Sequence, residues 1–333
     1  MSFVAEKRIL VAGASGYAGA LAAELVDRHP ALTLAAATSR SEAGTPLCAL
    51  YPQYRCDAVL EEFVLSAHGQ LDGAIVAYPH GAAAPVVAEL RAEGIPVVDL
   101  SADFRLNDQS VYEQWYVKHQ ASELLDGAVY GLPERYREQI KRAGLVANPG
   151  CYPTASVLAL APLAPFIADV VIDAKSGVSG AGREASAVTH FVSVDENVKP
   201  YGVGQHRHMP EIDQELALAG AENLSVTFTP HLVPLDQGEL VSCYVTLTEA
   251  VDVAALYAAA YDDEQFVEVV DHLPGVREVR GTNLCRINAT LDERTGKAFV
   301  FAVIDNLWKG AASQAIQNLN LMLGLPEEQG IEL

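Results

Sequence analysis

Short apolar runs alternate with amphipathic segments along the first half of the chain. The apolar runs have the length of buried strands and lie at residues 8–12, 32–37, 73–77 and 95–100. Two segments have helical spacing: residues 20–28, with Leu21, Leu25 and Val26 on one face, and residues 82–93. Apolar strands that are separated by helices predict a parallel sheet covered by helices on both faces.

The second half of the chain has a different pattern. Longer runs, several of which alternate apolar and polar residues, predict strands at residues 170–175, 224–229, 238–248, 284–291 and 299–305. Such alternation is typical of an antiparallel sheet that is covered on one face. A helical period follows at residues 306–323 and ends before Gly324, a residue type common just after helices. Residues 176–205 have neither pattern and predict a long loop.

Together the two patterns predict an α/β protein with two domains. Residues 1–150 are expected to form a Rossmann-type domain with a doubly wound parallel sheet, to which the last helix, at residues 307–333, returns. Residues 151–306 are expected to form an α+β substrate and dimerisation domain with a mixed or antiparallel sheet. The long strands of this second domain predict a sheet shared between subunits, and hence a dimer or tetramer.

Composition narrows the classes of partner. The formal net charge of −21 argues against nucleic acid, because phosphate binding needs clustered Lys and Arg. The most apolar stretch, residues 155–168, is broken by Pro162 and Pro165 and is too short to span a membrane. The five cysteines are an odd number and form no CxxC pair, which argues against disulfides and metal sites. With no targeting segment expected at residues 1–6, we predict a cytoplasmic protein without a metal.

A glycine-rich turn follows the first predicted strand. Gly13, Gly16 and Gly19 are spaced three residues apart, and the turn opens a helix. Backbone N–H groups at a helix N-terminus favour a pyrophosphate, so we assign this turn, with Ser15 and Tyr17, to a dinucleotide cofactor. The alternative is a structural turn without a ligand.

The end of the second strand predicts which dinucleotide binds. An acidic residue here would bind the ribose hydroxyls of NAD, but this chain has Ser39 and Arg40. A hydroxyl and a guanidinium group suit a 2′-phosphate, so we predict NADP (NADPH). The alternative for Arg40 is an exposed surface side chain without a ligand.

Cys151 lies in the sequence NPGCYPT at residues 148–154. Proline is favoured in the first turn of a helix, which predicts that Cys151 lies at or next to a helix N-terminus. There the helix dipole should lower the pKa of the thiol, and the unpaired N–H groups should hold an oxyanion. The alternative is a buried structural cysteine.

Two stretches are candidate anion-binding sites. Arg105 follows the strand at residues 95–100, at the edge where ligands bind in open α/β sheets, and is predicted to clamp a phosphate or carboxylate. The alternative is a salt bridge to Asp99 or Asp103. Residues 176–183 are rich in glycine and predict an anion-binding turn, with a flexible loop as the alternative.

His206 and His208 precede Pro210, which starts a predicted helix. Two histidines beside a helix N-terminus fit an acid/base site whose pKa values are lowered, and we favour His208 for this role. The alternative is an exposed histidine without a function.

In this order, the motifs resemble the N-acetyl-gamma-glutamyl-phosphate reductase family of arginine biosynthesis, within the aspartate-semialdehyde dehydrogenase superfamily. The similar stretches span nearly the whole chain: GASGYAG (13–19), DLSADFR (99–105), NPGCYPT (148–154), SGVSGAGR (176–183), PYGVGQHRHMPEI (200–212), FTPHLVP (228–234) and DNLWKGAA (305–312).

The resemblance implies NADPH-dependent reduction of N-acetyl-glutamyl 5-phosphate, a small acyl phosphate, to its semialdehyde with release of phosphate. Cys151 would attack the acyl carbon and form a thioester, and a histidine would transfer the proton. The resemblance also implies site residues: for the cofactor Pro79, Ser179, Gly180 and Asn306, with His80 nearby, and for the substrate Ser101, Arg105, Asn148 and Arg183.

Two other functions remain open. One is a sister reductase that acts on aminoadipyl phosphate or aspartyl phosphate. The other is a non-enzymatic regulator that senses NADP and has kept the fold.

Overall fold

The computed structural model describes residues 6–331. The chain folds into two compact units, which we call unit 1 (Met1–Pro149 with Ala311–Leu333) and unit 2 (Gly150–Gly310). The expectation about a targeting segment depends mostly on residues 1–5, which lie outside the described residues. The assignment of nucleotide binding to the first unit and catalysis to the second stays a prediction.

Unit 1 is built on a six-stranded parallel sheet with the strand order β2-β1-β3-β4-β6-β5. Its elements up to the end of the sheet are β1 (Lys7–Ala12), α1 (Tyr17–Arg28), β2 (Leu32–Thr38), α2 (Leu47–Leu50), β3 (Gly73–Val76), α3 (Ala84–Ala92), β4 (Val97–Asp99), α4 (Gln109–Trp115), β5 (Ala128–Tyr130), α5 (Pro133–Ile140) and β6 (Leu145–Ala147). The central strands are buried because helices cover the sheet, and their Val, Ile, Leu and Ala side chains form the core.

Unit 2 is built on a seven-stranded mixed sheet with the order β11-β12-β13-β10-β7-β9-β8. Its elements are α6 (Cys151–Leu160), β7 (Ile167–Ser176), α7 (Phe191–Val194), β8 (Lys199–Pro200), α8 (Met209–Leu218), β9 (Thr227–Leu232), β10 (Glu239–Leu247), α9 (Val253–Tyr261), β11 (Val267–Val269), β12 (Cys285–Asp292) and β13 (Lys297–Ile304). The apolar helix α6 packs against β10 and β13. The predicted fold class, a Rossmann-type sheet followed by a mixed sheet, is confirmed.

The last predicted helix begins later than its periodicity indicates. The carboxylate of Asp305 accepts hydrogen bonds from the backbone N–H groups of Leu307 and Trp308, at 2.9 and 3.2 Å, and holds a turn there. A π-helical turn, Trp308–Ala312, follows, and only then does α10 (Ser313–Leu323) begin. Helix α10 belongs to unit 1, where it packs against α1 and α5.

Two other predictions in the second half need correction. The strand predicted at residues 224–229 lies at β9, because Asn223 adopts a positive φ of 64° and Asp213 accepts a hydrogen bond from the Val226 N–H at 2.9 Å. The loop predicted at residues 176–205 contains the last residue of β7, a 3-10 turn at Val178–Ala181, α7 and β8.

Candidate active site

The glycine turn between β1 and α1 requires glycine at two positions. Gly13 has a φ of +90°, and a Cβ there would lie 2.7 Å from the carbonyl group of Ala77. A Cβ on Gly19 would lie 2.2 Å from the Gly13 carbonyl oxygen. Gly16 precedes α1 without a capping side-chain hydrogen bond, and a Cβ there would meet no atom closer than 3.9 Å. The N-terminus of α1, which begins at Tyr17, therefore has room for an anionic group.

The tip of β2 brings the predicted NADP residues to this turn. Ser39 donates a hydrogen bond to the Ser15 hydroxyl at 2.8 Å, so the two hydroxyl groups are neighbours. The guanidinium group of Arg40 lies over the ring of Tyr78, 5.0 Å from its centroid. This cation–π contact holds an exposed positive charge at the tip of β2.

Pro79 and His80 follow β3 and are exposed. The Nδ1 of His80 accepts a hydrogen bond from the Ala102 N–H at 3.0 Å, and the carboxylate of Asp103 accepts from the N–H groups of Gly81 and Ala84 at 2.7 and 3.0 Å. These contacts tie the segment after β3 to the segment after β4.

Ser101 and Asp99 form a buried pair at the end of β4. The Ser101 hydroxyl donates to an Asp99 oxygen at 2.6 Å, and its oxygen accepts from the Asp103 N–H at 3.0 Å. Burial, followed by the charge of Asp103, raises the pKa of Asp99 to about 7. The predicted substrate residue Ser101 therefore has its hydroxyl engaged within unit 1.

Arg105 and Asn148 form hydrogen bonds near the end of the first chain segment of unit 1. The Arg105 guanidinium donates to the carbonyl oxygens of Asn148 and Leu100, each at 2.8 Å. The fully buried Asn148 amide donates to the Ala311 carbonyl at 3.2 Å and accepts from Asn318 at 3.0 Å. These contacts are all made within unit 1.

Cys151 is the first residue of α6, as predicted, and Gly150 is its N-cap. As a residue, Cys151 is partly exposed. The Gly150 N–H donates to the carboxylate of Glu211 in the first turn of α8, at 2.9 Å. A Cβ on Gly310 would lie 2.8 Å from the Cβ of Cys151, so only glycine lets the π-helical turn approach the cysteine this closely.

The other thiols differ in their surroundings. Cys56, Cys243 and Cys285 are buried, and burial raises the pKa of Cys56 to about 11 and raises the pKa of Cys243 as well. Cys48 is partly exposed, like Cys151, but lies in the short helix α2 of unit 1.

His206 and His208 lie together in an aromatic cluster around Tyr152. Their ring centroids are 4.9 Å apart, and both rings contact the ring of Tyr152, the residue after the cysteine. His208 is the N-cap of α8, and its N–H donates to the Nδ1 of His206 at 3.2 Å. Burial, followed by the charge of Arg207, lowers the pKa of His206 to about 4. The main cause is therefore burial rather than the helix dipole that the sequence indicated.

Ser179, Gly180 and Asn306 form one hydrogen-bonded group in unit 2. The Asn306 amide donates to the Ser179 hydroxyl at 3.0 Å and accepts from the Gly238 N–H at 2.8 Å. A Cβ on Gly180 would lie 2.9 Å from the hydroxyl of Ser176. Arg183, in the same glycine-rich segment, is exposed.

Three residues beside Cys151 were missed in the sequence: Glu211, Glu239 and Gly310. Glu211 and Glu239 are buried acids, and Glu239 interacts with the Cys151 side chain. A signal for Glu239 exists, because it alternates with Val241, Cys243 and Val245 and so shares their apolar face. Within residues 6–331, no group of three or more His, Cys, Asp and Glu is arranged to hold a metal, and no helix is long and apolar enough to cross a bilayer.

Family models match both parts of the chain. Residues 8–143 match the semialdehyde dehydrogenase NAD binding domain, and residues 151–306 match the semialdehyde dehydrogenase dimerisation domain.

Two curated relatives are similar over nearly their whole length. The N-acetyl-gamma-glutamyl-phosphate reductase of Syntrophobacter fumaroxidans is 48% identical, with 98% of each chain covered. That of Moorella thermoacetica is 45% identical, with 97% of each chain covered.

Solved structures share the fold at low identity. Aspartate semialdehyde dehydrogenase II from Vibrio cholerae has a TM-score of 0.74 at 19% identity and covers 96% of this chain and 99% of its own. Aspartate semialdehyde dehydrogenase with NADP from Candida albicans has a TM-score of 0.68 at 16% identity and covers 96% of this chain and 98% of its own.

Proposed function

Because this chain belongs to the N-acetyl-gamma-glutamyl-phosphate reductase family, we propose that it performs the family's reaction through a thioester on Cys151 and with NADPH. The reaction is the reductive dephosphorylation of N-acetyl-L-glutamyl 5-phosphate to the 5-semialdehyde, in arginine biosynthesis. The observation that carries the mechanism is the position of Cys151, a partly exposed cysteine at the first residue of α6. The helix dipole there stabilises the negative charge that develops on the sulfur as it attacks.

A nicotinamide cofactor fits unit 1. Gly13 and Gly19 allow a tight turn, and the uncapped N-terminus of α1 suits a pyrophosphate. When bound, the cofactor supplies the hydride that reduces the thioester. Ser15, Gly16 and Tyr17 belong to this pyrophosphate site in our assignment.

NADP is supported by the charge at the tip of β2. Arg40 is held over Tyr78 with its guanidinium group exposed, and the Ser39 and Ser15 hydroxyls are adjacent. A charge-assisted hydrogen bond contributes about 1.5–3 kcal/mol. We therefore expect Arg40→Ala to weaken the use of NADPH by roughly 10–100-fold and to leave NADH use nearly unchanged in steady-state assays. An equal loss with both cofactors would show that Arg40 has a structural role.

In the chemical step, the sulfur of Cys151 attacks the acyl carbon and phosphate leaves. The imidazole groups of His206 and His208, which contact the residue after the cysteine, are proposed to bind the substrate and to move protons at its oxygen. The Glu211 carboxylate and Gly310 hold the position of Cys151 and its loop.

Several of the predicted site residues are proposed to hold neighbouring backbone and side chains in position. Arg105 and Asn148 position the backbone before Cys151, Ser101 holds Asp99 and Asp103, and Asn306 and Ser179 position the turn at Gly238. Arg183 is exposed and remains the candidate that binds the anionic end of the substrate. Pro79 and Gly180 are proposed to line the cofactor site.

The substrate is tested in the reverse direction, with phosphate, NADP and an aldehyde. N-acetyl-glutamate 5-semialdehyde should be oxidised with formation of NADPH, and aspartate semialdehyde should be oxidised far more slowly. Equal or faster oxidation of aspartate semialdehyde would assign the chain to the sister activity. If a folded, unmodified protein whose Cys151 reacts with iodoacetamide turned over neither aldehyde, a regulator would be favoured.

We also propose that the chain forms a homo-oligomer and acts in the cytoplasm. The dimerisation-domain match of unit 2 supports the first, and the absence of any disulfide among the cysteines supports the second.

A further inference from the structure

A buried carboxyl group lies beside the nucleophile of unit 2. Glu239 is the first residue of β10 and is fully buried. Its carboxyl group lies near enough to the side chain of Cys151 for the two to interact. In the described part of the chain, neither of its oxygens has a hydrogen-bond partner in good geometry. Burying a carboxyl group without hydrogen-bond partners costs free energy, so a buried acid at this position indicates a functional role.

The position of Glu239 follows from the architecture of unit 2. Strand β10 lies between β7 and β13, and Val241, Cys243 and Val245, which alternate with Glu239, are buried on the same face. Helix α6 packs against this strand. Gly238, with a φ of +118°, is held by the Asn306 amide, which fixes the backbone immediately before Glu239.

The groups that face Glu239 come from three parts of unit 2. Cys151 and Tyr152 belong to α6, Asp305 follows β13, and Tyr201 precedes α8. Burial, followed by the charge of Asp305, raises the pKa of Glu239 to about 8, although the interaction with the Cys151 side chain opposes the rise. An ordinary glutamate, with a pKa of about 4.3, is a poor base for a thiol with a pKa of about 8.5. Burial brings the pKa of the carboxyl group closer to that of the thiol, so proton transfer from the sulfur becomes easier.

We propose that Glu239 is the acid/base group for the Cys151 sulfur. When the sulfur attacks, the S–H bond breaks and its proton moves to the carboxylate. At the same time a C–S bond forms, and the C–O bond to phosphate breaks with its electron pair leaving on phosphate. After hydride reduction, the carbonyl group reforms, the C–S bond breaks, and the sulfur takes the stored proton back from Glu239.

This assignment divides the proton transfers between two groups. The carboxyl group serves the sulfur, and the histidine pair serves the oxygens of the substrate and of phosphate. It rests on Cys151 being the nucleophile of the proposed function.

The first test is the rate at which iodoacetamide alkylates Cys151, followed on its peptide by mass spectrometry from about pH 5 to 10. A thiol and a carboxyl group in contact titrate as a coupled pair, so the wild-type rate should rise in two steps. Glu239→Gln should show one step. That step should lie below the second wild-type step, because a neighbouring carboxylate opposes formation of the thiolate.

The second test is acylation, measured as the phosphate released in one turnover without NADPH. Loss of a general base typically lowers a rate by about 10²–10⁴-fold, so Glu239→Gln should slow this release by that order with little change in KM. Glu239→Asp keeps an acid and should keep two alkylation steps with a smaller loss. Glu215→Gln is the matched control, because Glu215 is a buried acid on α8, and it should behave as wild type.

Three results would overturn the assignment. They are one alkylation step in the wild-type protein, two steps that persist in Glu239→Gln, and an unchanged acylation rate in folded Glu239→Gln. If Glu239→Gln does not fold, the wild-type profile and Glu239→Asp decide the question. Failure of the thioester mechanism itself would appear separately, as full turnover in Cys151→Ser.

Discussion

At the scale of single residues, Cys151 differs from the other thiols in its surroundings rather than in its chemistry. It is partly exposed at the start of a helix, whereas Cys56 and Cys243 are buried and have raised pKa values. We expect iodoacetamide to label Cys151 first and to abolish turnover, because the thiolate is the reactive form. Peptide mapping by mass spectrometry identifies the labelled site.

Two controls accompany this prediction. The acyl phosphate should protect Cys151 from labelling, and Cys48→Ser should change neither the rate of inactivation nor turnover. Faster labelling of Cys48, or full activity in Cys151→Ser, would contradict a covalent role for Cys151.

The two histidines should have different effects on the pH profile. With a pKa of about 4, His206 stays neutral at higher pH, so its replacement should remove no limb of the profile above pH 5. His206→Asn should therefore act mainly on KM. His208→Asn should lower kcat by about 10²–10⁴-fold and remove one limb, with KM nearly unchanged, as expected of an acid/base group.

The matched control is His272→Asn, because His272 is an exposed histidine that pairs with Glu278. It should leave both parameters unchanged. The opposite pattern at His206 and His208 would exchange their roles. If neither variant altered the pH profile, another group or water would have to carry the proton.

Site residues with reactive side chains could be predicted from the sequence, whereas residues that act through their contacts could not. Cys151 and the histidine pair were identifiable because their side chains are reactive and lie beside helix-starting prolines. Glu211 and Gly310 act by holding the loop and by leaving space, and those properties depend on contacts between residues far apart in the chain. The hydrogen bonds of Asn148 and Asn306 were hidden for the same reason.

At the scale of elements, different glycines of the turn between β1 and α1 are expected to affect stability and cofactor binding. Gly19→Ala places a methyl group against the Gly13 carbonyl oxygen, and such overpacking costs about 1–3 kcal/mol, so we expect a lower melting temperature. Gly16→Ala meets no atom within 3.9 Å and should fold normally. Its methyl group stands before the N-terminus of α1, so NADPH affinity should fall about tenfold or more, equivalent to 1.4 kcal/mol.

Thermal unfolding and calorimetric titration with NADPH check both variants. Normal NADPH affinity in Gly16→Ala would remove the N-terminus of α1 from the cofactor site. Normal stability in Gly19→Ala would show that the turn can relax without cost.

The accuracy of the element predictions depended on pattern length. Strands β1 to β4 and the long strands β7, β10, β12 and β13 have strong apolar patterns, and each lies near its predicted position. Strands β5 and β6 have only three residues each, too few to show a period, and α4 and α5 are short and mostly polar. The π-helical turn depends on Asp305, whose capping contacts leave no periodic trace in the sequence.

At the scale of the whole molecule, net charge and exposed apolar surface have opposite effects on association between chains. A net charge of −21 keeps chains apart at long range, but salt screens it within about 10 Å at 0.1 M. Contact between subunits then depends on apolar area. One segment of unit 2, which we call the 188–203 segment, has several exposed apolar side chains. They are Val188, Phe191, Val192, Val198 and Val203.

This segment includes β8, an edge strand of the mixed sheet, and lies within the part that matches a dimerisation domain. Phe191 and Val192 are 73% and 78% exposed, which is unfavourable for a monomer and typical of an interaction surface. We expect a double Phe191→Ser, Val192→Ser variant to lower the mass measured by light scattering toward that of a single chain. The wild-type protein should have at least twice that mass at the same concentration.

The matched control is Leu273→Ser, which removes an apolar side chain that is 69% exposed outside the segment. Because both sets of side chains are exposed, neither change should alter the unfolding transition of an isolated chain, and only the double variant should shift the mass. If the double variant keeps the wild-type mass, subunits meet elsewhere, and the other sheet edge, at β11, becomes the place to test. If Leu273→Ser shifts the mass equally, then loss of apolar area anywhere on unit 2 weakens association, and the 188–203 segment has no special role.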